Sequence, residues 1–132
     1  MRKKIILFSV LILLGVAAIL ILTQQPDARF EGERISDQGS FVLRFDRMNM
    51  TDSETLVLRK GDALHVSWQI ESGHVDIVIR QKNEEPIYQA DDRAAGDKAD
   101  FYVEIPQTGS YTITVSSREA KGQISFFKTD NE

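Results

Sequence analysis

Residues Ala63–Arg80 read ALHVSWQIESGHVDIVIR, and their alternation decides the fold class. Leu64, Val66, Trp68 and Ile70 alternate with His65, Ser67, Gln69 and Glu71, the period of two that marks a strand with one face buried. Val75, Ile77 and Ile79 repeat the pattern beyond Ser72-Gly73. The stretch predicts a β-hairpin turning at Ser72-Gly73, with Ile70 opposite Val75, Trp68 opposite Ile77 and Val66 opposite Ile79. A slip by one residue would set Ile70 against Asp76 and turn the apolar set to solvent, so the register is strongly specified.

The same period extends outward in both directions. Phe30–Ser36 is a weak strand, Ser40–Arg47 carries Phe41, Leu43 and Phe45 on one face, and Met48–Ser53 reads as a polar turn. Leu56 and Leu58 point inward on a strand running to Lys60, and a short loop around Gly61-Asp62 is expected to set Leu58 opposite Leu64. Asn83–Pro86 is a turn, Ile87–Ala90 a short strand and Asp91–Asp100 a long charged loop. Phe101, Val103 and Ile105 form the next inward face, expected to pair with Val115, Ile113 and Tyr111 across the turn at Pro106–Ser110. Ile124 and Phe126 close the series. No helical period appears in this region, so residues 30–128 are expected to form an all-β domain: an antiparallel β-sandwich or jelly roll of about eight strands, with a polar tail at 129–132.

The N-terminal segment has a different character. Met1–Lys4 is a basic tip, and Ile5–Leu22 is an apolar run broken only by Ser9 and Gly15. As a helix it would span roughly 27 Å, near the lower limit for crossing a hydrocarbon core. Three basic residues before it and none after it until Arg29 place the N-terminus in the cytoplasm and the remainder outside. A signal peptide cleaved near Val16-Ala17-Ala18 is the competing reading and would make the domain secreted. The apolar run continues past that point, which favours an uncleaved transmembrane anchor. Residues 23–29, TQQPDAR, form a short polar linker.

Composition narrows the function classes. With no cysteine, disulfides, thiolate chemistry and a lipoprotein anchor are excluded. Setting aside Arg2, Lys3 and Lys4, 13 of the 16 basic residues face 20 acidic ones, about −7, which argues against nucleic acid or anionic lipid as the partner of the domain.

The run Glu104–Val115, EIPQTGSYTITV, resembles the end of small extracytoplasmic jelly-roll modules such as bacterial pre-peptidase C-terminal domains and the Golgi-dynamics type of sandwich. The span Ser40–Lys128, including KGDALHVSWQIESGHVDIVI, is similar to small secreted or membrane-anchored β-sandwich proteins of Gram-positive bacteria. The resemblance implies a fold and a location, and it brings no functional residues with it.

Candidate chemistry is sparse. In the expected hairpin His65 faces Arg80 and His74 faces Glu71, about 20 Å apart on the outward face, too far to share a metal. Asp91, Asp92, Asp97 and Asp100 are the densest carboxylate set and the one candidate for calcium, although Arg93 and Lys98 partly neutralise them and the spacing is not that of an EF-hand. No G-x-S-x-G motif or triad placement is present. Tyr88, Tyr102 and Phe127 lie on the outward parity of their strands and form a candidate ligand or partner surface. Asn49-Met50-Thr51 fits the N-glycosylation pattern in an expected turn. Together these features predict a non-catalytic, membrane-tethered, extracytoplasmic binding or interaction module with a protein or glycan partner. The alternatives are a polysaccharide- or cell-wall-binding sandwich and an accessory subunit of a membrane protein complex.

Overall fold

The computed structural model describes residues Ala28–Thr129; the basic tip, the expected anchor, the linker up to Asp27 and the tail after Thr129 lie outside the described residues. Among the described residues no helix is long and apolar enough to cross a membrane. Seven strands build the domain: β1 (Arg29–Ser36), β2 (Ser40–Asn49), β3 (Thr51–Leu58), β4 (Ala63–Gln81), β5 (Tyr88–Ala94), β6 (Lys98–Glu104) and β7 (Gly109–Thr129).

The expected hairpin at Ser72-Gly73 does not form. Residues Ala63–Gln81 are one strand, β4, paired along its length with the equally long β7, from Ala63 opposite Thr129 to Gln81 opposite Tyr111. On its other side β4 pairs with β6 through its first half and with β5 through its second. β7 in turn pairs with β3 through its first half and with β2 through its second, and β1 lies outside β2. All pairings are antiparallel.

Both long strands change face midway. Leu64, Val66, Trp68 and Ile70 are buried on β4, and after a register shift at Ile70–His74 the buried set becomes Val75, Ile77 and Ile79. On β7 the buried positions pass from Tyr111, Ile113, Val115 and Ser117 to Ala120, Ile124 and Phe126. A bulge inserts a residue and bends its strand. Two facing bulges therefore fold the single sheet over a common core, with β1, β2, β6 and the adjoining halves of β4 and β7 in one layer and β3, β5 and the other halves in the second.

The inward residues expected from parity are the core. Phe41, Leu43, Leu56, Leu58, Leu64, Ile77, Ile79, Tyr111 and Phe126 are fully buried in one cluster, each burial stabilising the fold by about 1.5–3 kcal/mol. Their expected neighbours are different: Leu58 lies opposite Gly109 rather than Leu64, and Phe101 and Val103 lie opposite Val66 and Leu64 rather than against β7. Met48–Ser53, expected as a polar turn, is the end of β2 and the start of β3, with Met48 fully buried. The charged stretch Asp91–Asp100 is mostly strand, β5 and β6 joined by a turn at Gly96.

The two open edges are closed by different chemistry. At one, the Arg34 guanidinium on β1 reaches across to β3, donating to Asp52 Oδ2 at 2.7 Å and Glu54 Oε2 at 2.9 Å while lying 5.0 Å from the Phe41 ring centroid. Its two carboxylate partners raise the Arg34 pKa further. Hydrogen bonds from Ser36 and Arg34 hold the Glu54 carboxyl below its usual range. At the other edge, Phe101 of β6 meets Trp68 edge-on at 5.4 Å and Tyr88 of β5 at 5.0 Å.

Candidate functional site

The outward residues of the first layer line up in three rows across the strands, and the register dictates which side chains share a row. The first row carries Ser40, Phe127, His65 and Tyr102 on β2, β7, β4 and β6. The second carries Ile35, Val42, Ser125, Ser67 and Asp100 on β1, β2, β7, β4 and β6. Arg44, Gln123, Gln69 and Lys98 form the third, in the same order from β2 to β6.

Apart from His65 and Tyr102, which continue the first row beyond it, these residues line a groove of about 790 Å³. Its floor is recessed: Ser40 and Val42 are on the outward parity of β2 yet only 7% and 6% exposed. Phe127 lines one side, and two further rings continue its row across β4 and β6. Tyr102 is 62% and Phe127 44% exposed, and between them His65 stacks on Tyr102 with centroids 4.6 Å apart. His65 Nε2 lies 2.6 Å from Asp100 Oδ1, which fixes the imidazole plane against the phenol. Behind the rings, the Ser67 and Ser125 hydroxyls bond each other at 2.6 Å. A second hollow of about 640 Å³ shares Arg44, Gln69 and Gln123 and continues the trough to the bend of β4 and β7.

The charges in the groove are unevenly engaged. The Asp37 carboxyl accepts the Gly39 N–H at 2.8 Å, and this bond together with Ser40 holds it below the usual carboxylate range. Asp100 is bound to His65. Among the described residues, Arg44 and Lys98 have no ion-pair partner, and Glu33, opposite Arg44 on β1, makes none with it.

The candidate surface of the sequence is therefore divided. Tyr102 and Phe127 are neighbours of His65 on one face, whereas Tyr88 belongs to the interior, half-buried against Trp68 and Phe101, where burial raises its pKa. Tyr88 lies opposite Ile79 and Ala90 opposite Ile77, so Tyr88 shares the inward face of β4 and the parity of β5 is inverted from the expected one. His65 lies between Phe127 and Tyr102 rather than opposite Arg80, and His74 lies opposite Arg118 and Ala94 rather than Glu71.

The four aspartates are dispersed. Asp91 accepts from Gln89; Asp92 is 2.7 Å from His74 Nδ1 and 3.1 Å from Arg118; Asp97 is 3.6 Å from Arg93; Asp100 serves His65. Among the described residues no three acidic or histidine side chains group closely enough to hold a metal ion. Asn49 of the glycosylation triplet lies at the end of β2 and accepts the Glu119 N–H. The groove residues Arg44, Ser67, Gln69, Lys98, Gln123 and Ser125 escape sequence reasoning because each reads as ordinary solvated surface on its own strand. The available signal is their shared outward parity, which becomes a site only when β4 lies between β6 and β7.

No family model and no curated protein matches the chain. Among solved structures it is similar to TmCBM61 in complex with β-1,4-galactotriose, at 14% identity and a TM-score of 0.43 over 71% of this chain; it spans 66% of that chain, just under two thirds. It is similar to CBM4 at 13% identity and a TM-score of 0.43 over 77% of this chain and 76% of that one. A third similarity is to the Drosophila melanogaster CENP-C cupin domain, at 8% identity and a TM-score of 0.34 over 75% and 76%. At these scores the similarities are partial, and the interpretation of the groove rests on its own residues.

Proposed function

We propose that this domain is a non-catalytic glycan-binding module, held outside a membrane by residues 5–22. The observation that supports binding is the groove across β1, β2, β7, β4 and β6, lined by Phe127, hydroxyls and amides, with His65 and Tyr102 continuing the row of rings beside it. A sugar presents an apolar C–H face and a periphery of hydroxyls. Exposed rings cover the first, and Ser67, Ser125, Gln69 and Gln123 supply both donors and acceptors for the second. A jelly-roll-like sandwich offers these groups from strands rather than loops, which keeps the platform rigid and lowers the ordering cost of binding. The tether rests on the basic tip and the aliphatic run that follows it.

The test uses the full-length chain, purified in mild detergent, in affinity electrophoresis through gels containing a panel of soluble neutral and acidic polysaccharides. Retardation by at least one polymer is expected, lost in Phe127→Ala and in Tyr102→Ala while the melting temperature stays unchanged, since both side chains are exposed. A wild-type chain that no polymer retards, or variants retarded as strongly as wild type, would overturn the reading.

A further inference from the structure

We infer that the groove takes an acidic polysaccharide, one bearing negative groups on at least two of its sugars; this rests on the glycan-binding reading above. The third row of the groove carries Arg44 on β2 and Lys98 on β6, with the amides of Gln123 and Gln69 between them. Both cations line the groove and neither is spent on an internal ion pair among the described residues. The acids of the groove are committed elsewhere, Asp37 to the Gly39 N–H and Asp100 to His65. Those bonds leave both negative charges in place, so two acids and two bases balance over the groove as a whole; within the third row from β2 to β6 the charged groups are Arg44 and Lys98, with Glu33 beyond Arg44 on β1. Lys121, at the far end of the trough, is held by Glu71 at 3.6 Å and adds no free charge.

Arg44 and Lys98 are separated by three strand spacings, about 14 Å. With each side chain lying over its own strand a single carboxylate or sulfate cannot serve both, whereas a polymer lying across the strands presents one group to each. Gln123 and Gln69 then face the hydroxyls of the sugars between, and the ring row runs parallel to the chain one groove width away. Arg44 supplies the planar fork suited to a carboxylate or sulfate, and Lys98 a point charge at the other end. A monosaccharide acid meets only one of the two and binds weakly.

The test measures binding of the full-length chain in mild detergent to matched polymer pairs that differ in charge: polygalacturonate and alginate against their methyl esters, and dextran sulfate against dextran. The charged member of at least one pair is expected to bind more tightly, by about fivefold for each cation engaged. The pair that shows the preference identifies carboxylate or sulfate as the group. The preference should shrink on raising salt from 50 mM to 500 mM. It should also disappear in the double variant Arg44→Gln/Lys98→Gln, whose fold is checked by its Trp68 emission. Equal binding within every pair, tighter binding of the uncharged member, or a preference that survives in the double variant would overturn this inference while leaving the glycan platform intact. Failure to bind either member of any pair, or any neutral polymer, would overturn the platform as well.

Discussion

Gly73 on β4 lies directly against the backbone of Glu119 on β7: a Cβ at Gly73 would fall 2.6 Å from the Ala120 Cα and closer still to the Glu119 carbonyl. Both residues have positive φ, 77° and 46°, and they sit where the two long strands change face. The contact interlocks the bends of β4 and β7, so one sheet becomes two layers at this point. Asn49 secures the β7 side by accepting the Glu119 N–H at 3.2 Å, and the Arg47 guanidinium grips the Glu119 carboxylate at 2.8 and 3.2 Å.

Gly73→Ala is expected to destabilise the domain by at least about 2 kcal/mol, because a side chain at that φ is strained and the facing backbone leaves it no room. Urea unfolding followed by tryptophan emission measures the change, and a midpoint equal to wild type would show that the bends are not interlocked.

Acid should weaken the bend. Arg47 holds the Glu119 carboxyl below the usual carboxylate range, so the stabilisation is complete above about pH 4.3, the ordinary glutamate value, and is lost as pH falls through the depressed folded value. Glu119→Gln should remove part of the acid limb of the stability–pH curve between pH 5 and 3, leaving neutral-pH unfolding cooperative. Superimposable acid limbs for the two proteins would contradict the assignment.

Arg34→Met should cost roughly 1 kcal/mol, the scale of a partly exposed ion-pair network, because it separates the β1 edge from Asp52 and Glu54 on β3. Arg34→Lys is expected to recover little, since an ammonium cannot reproduce the forked contact to both carboxylates. Hydrogen exchange should localise the loss to β1 and β3.

Tyr88 and Tyr102 should separate stability from binding. Tyr88→Ala removes a ring packed on Trp68 and Phe101 and is expected to lower stability by about 2 kcal/mol while the folded protein still binds glycan. Tyr102→Ala should leave the melting temperature alone and abolish retention. The opposite pattern would mean that the platform lies elsewhere.

Trp68 is the single tryptophan and only 5% exposed. Its emission should be blue-shifted in the native state, red-shifted on unfolding and insensitive to polysaccharide, because the ring faces the core while ligand contacts the outer side of the sheet. Trp68→Ala should cost about 3–5 kcal/mol. A large glycan-induced shift in emission would place the ligand inside the layers instead.

Alternation along the chain by itself determined the class of fold and most of the core. Leu64, Val66, Trp68, Ile70, Val75, Ile77 and Ile79 are inward as their parity requires, and so are Phe41, Leu43, Phe45, Ile113, Val115, Ile124 and Phe126. Side-chain parity is a local property of extended backbone and needs no knowledge of the neighbouring strand. Tyr102 and Phe127 were legible as exposed rings for the same reason, and Tyr88 was not, because its facing is set by the pairing of β5 with β4, which places it opposite the inward Ile79.

Strand partners were decided only by the tertiary structure. An even-length turn at Ser72-Gly73 and a bulge at the same place satisfy the same apolar pattern, since each reverses the parity of the residues that follow. Local sequence is therefore silent between a hairpin and a bent strand. The long-range pairing of β4 with β7 and the close approach of Gly73 to Glu119 select the bent strand. That selection sets His65 between Phe127 and Tyr102 and aligns Arg44 with Lys98, so the candidate site exists only once residues distant in sequence become neighbours across the sheet.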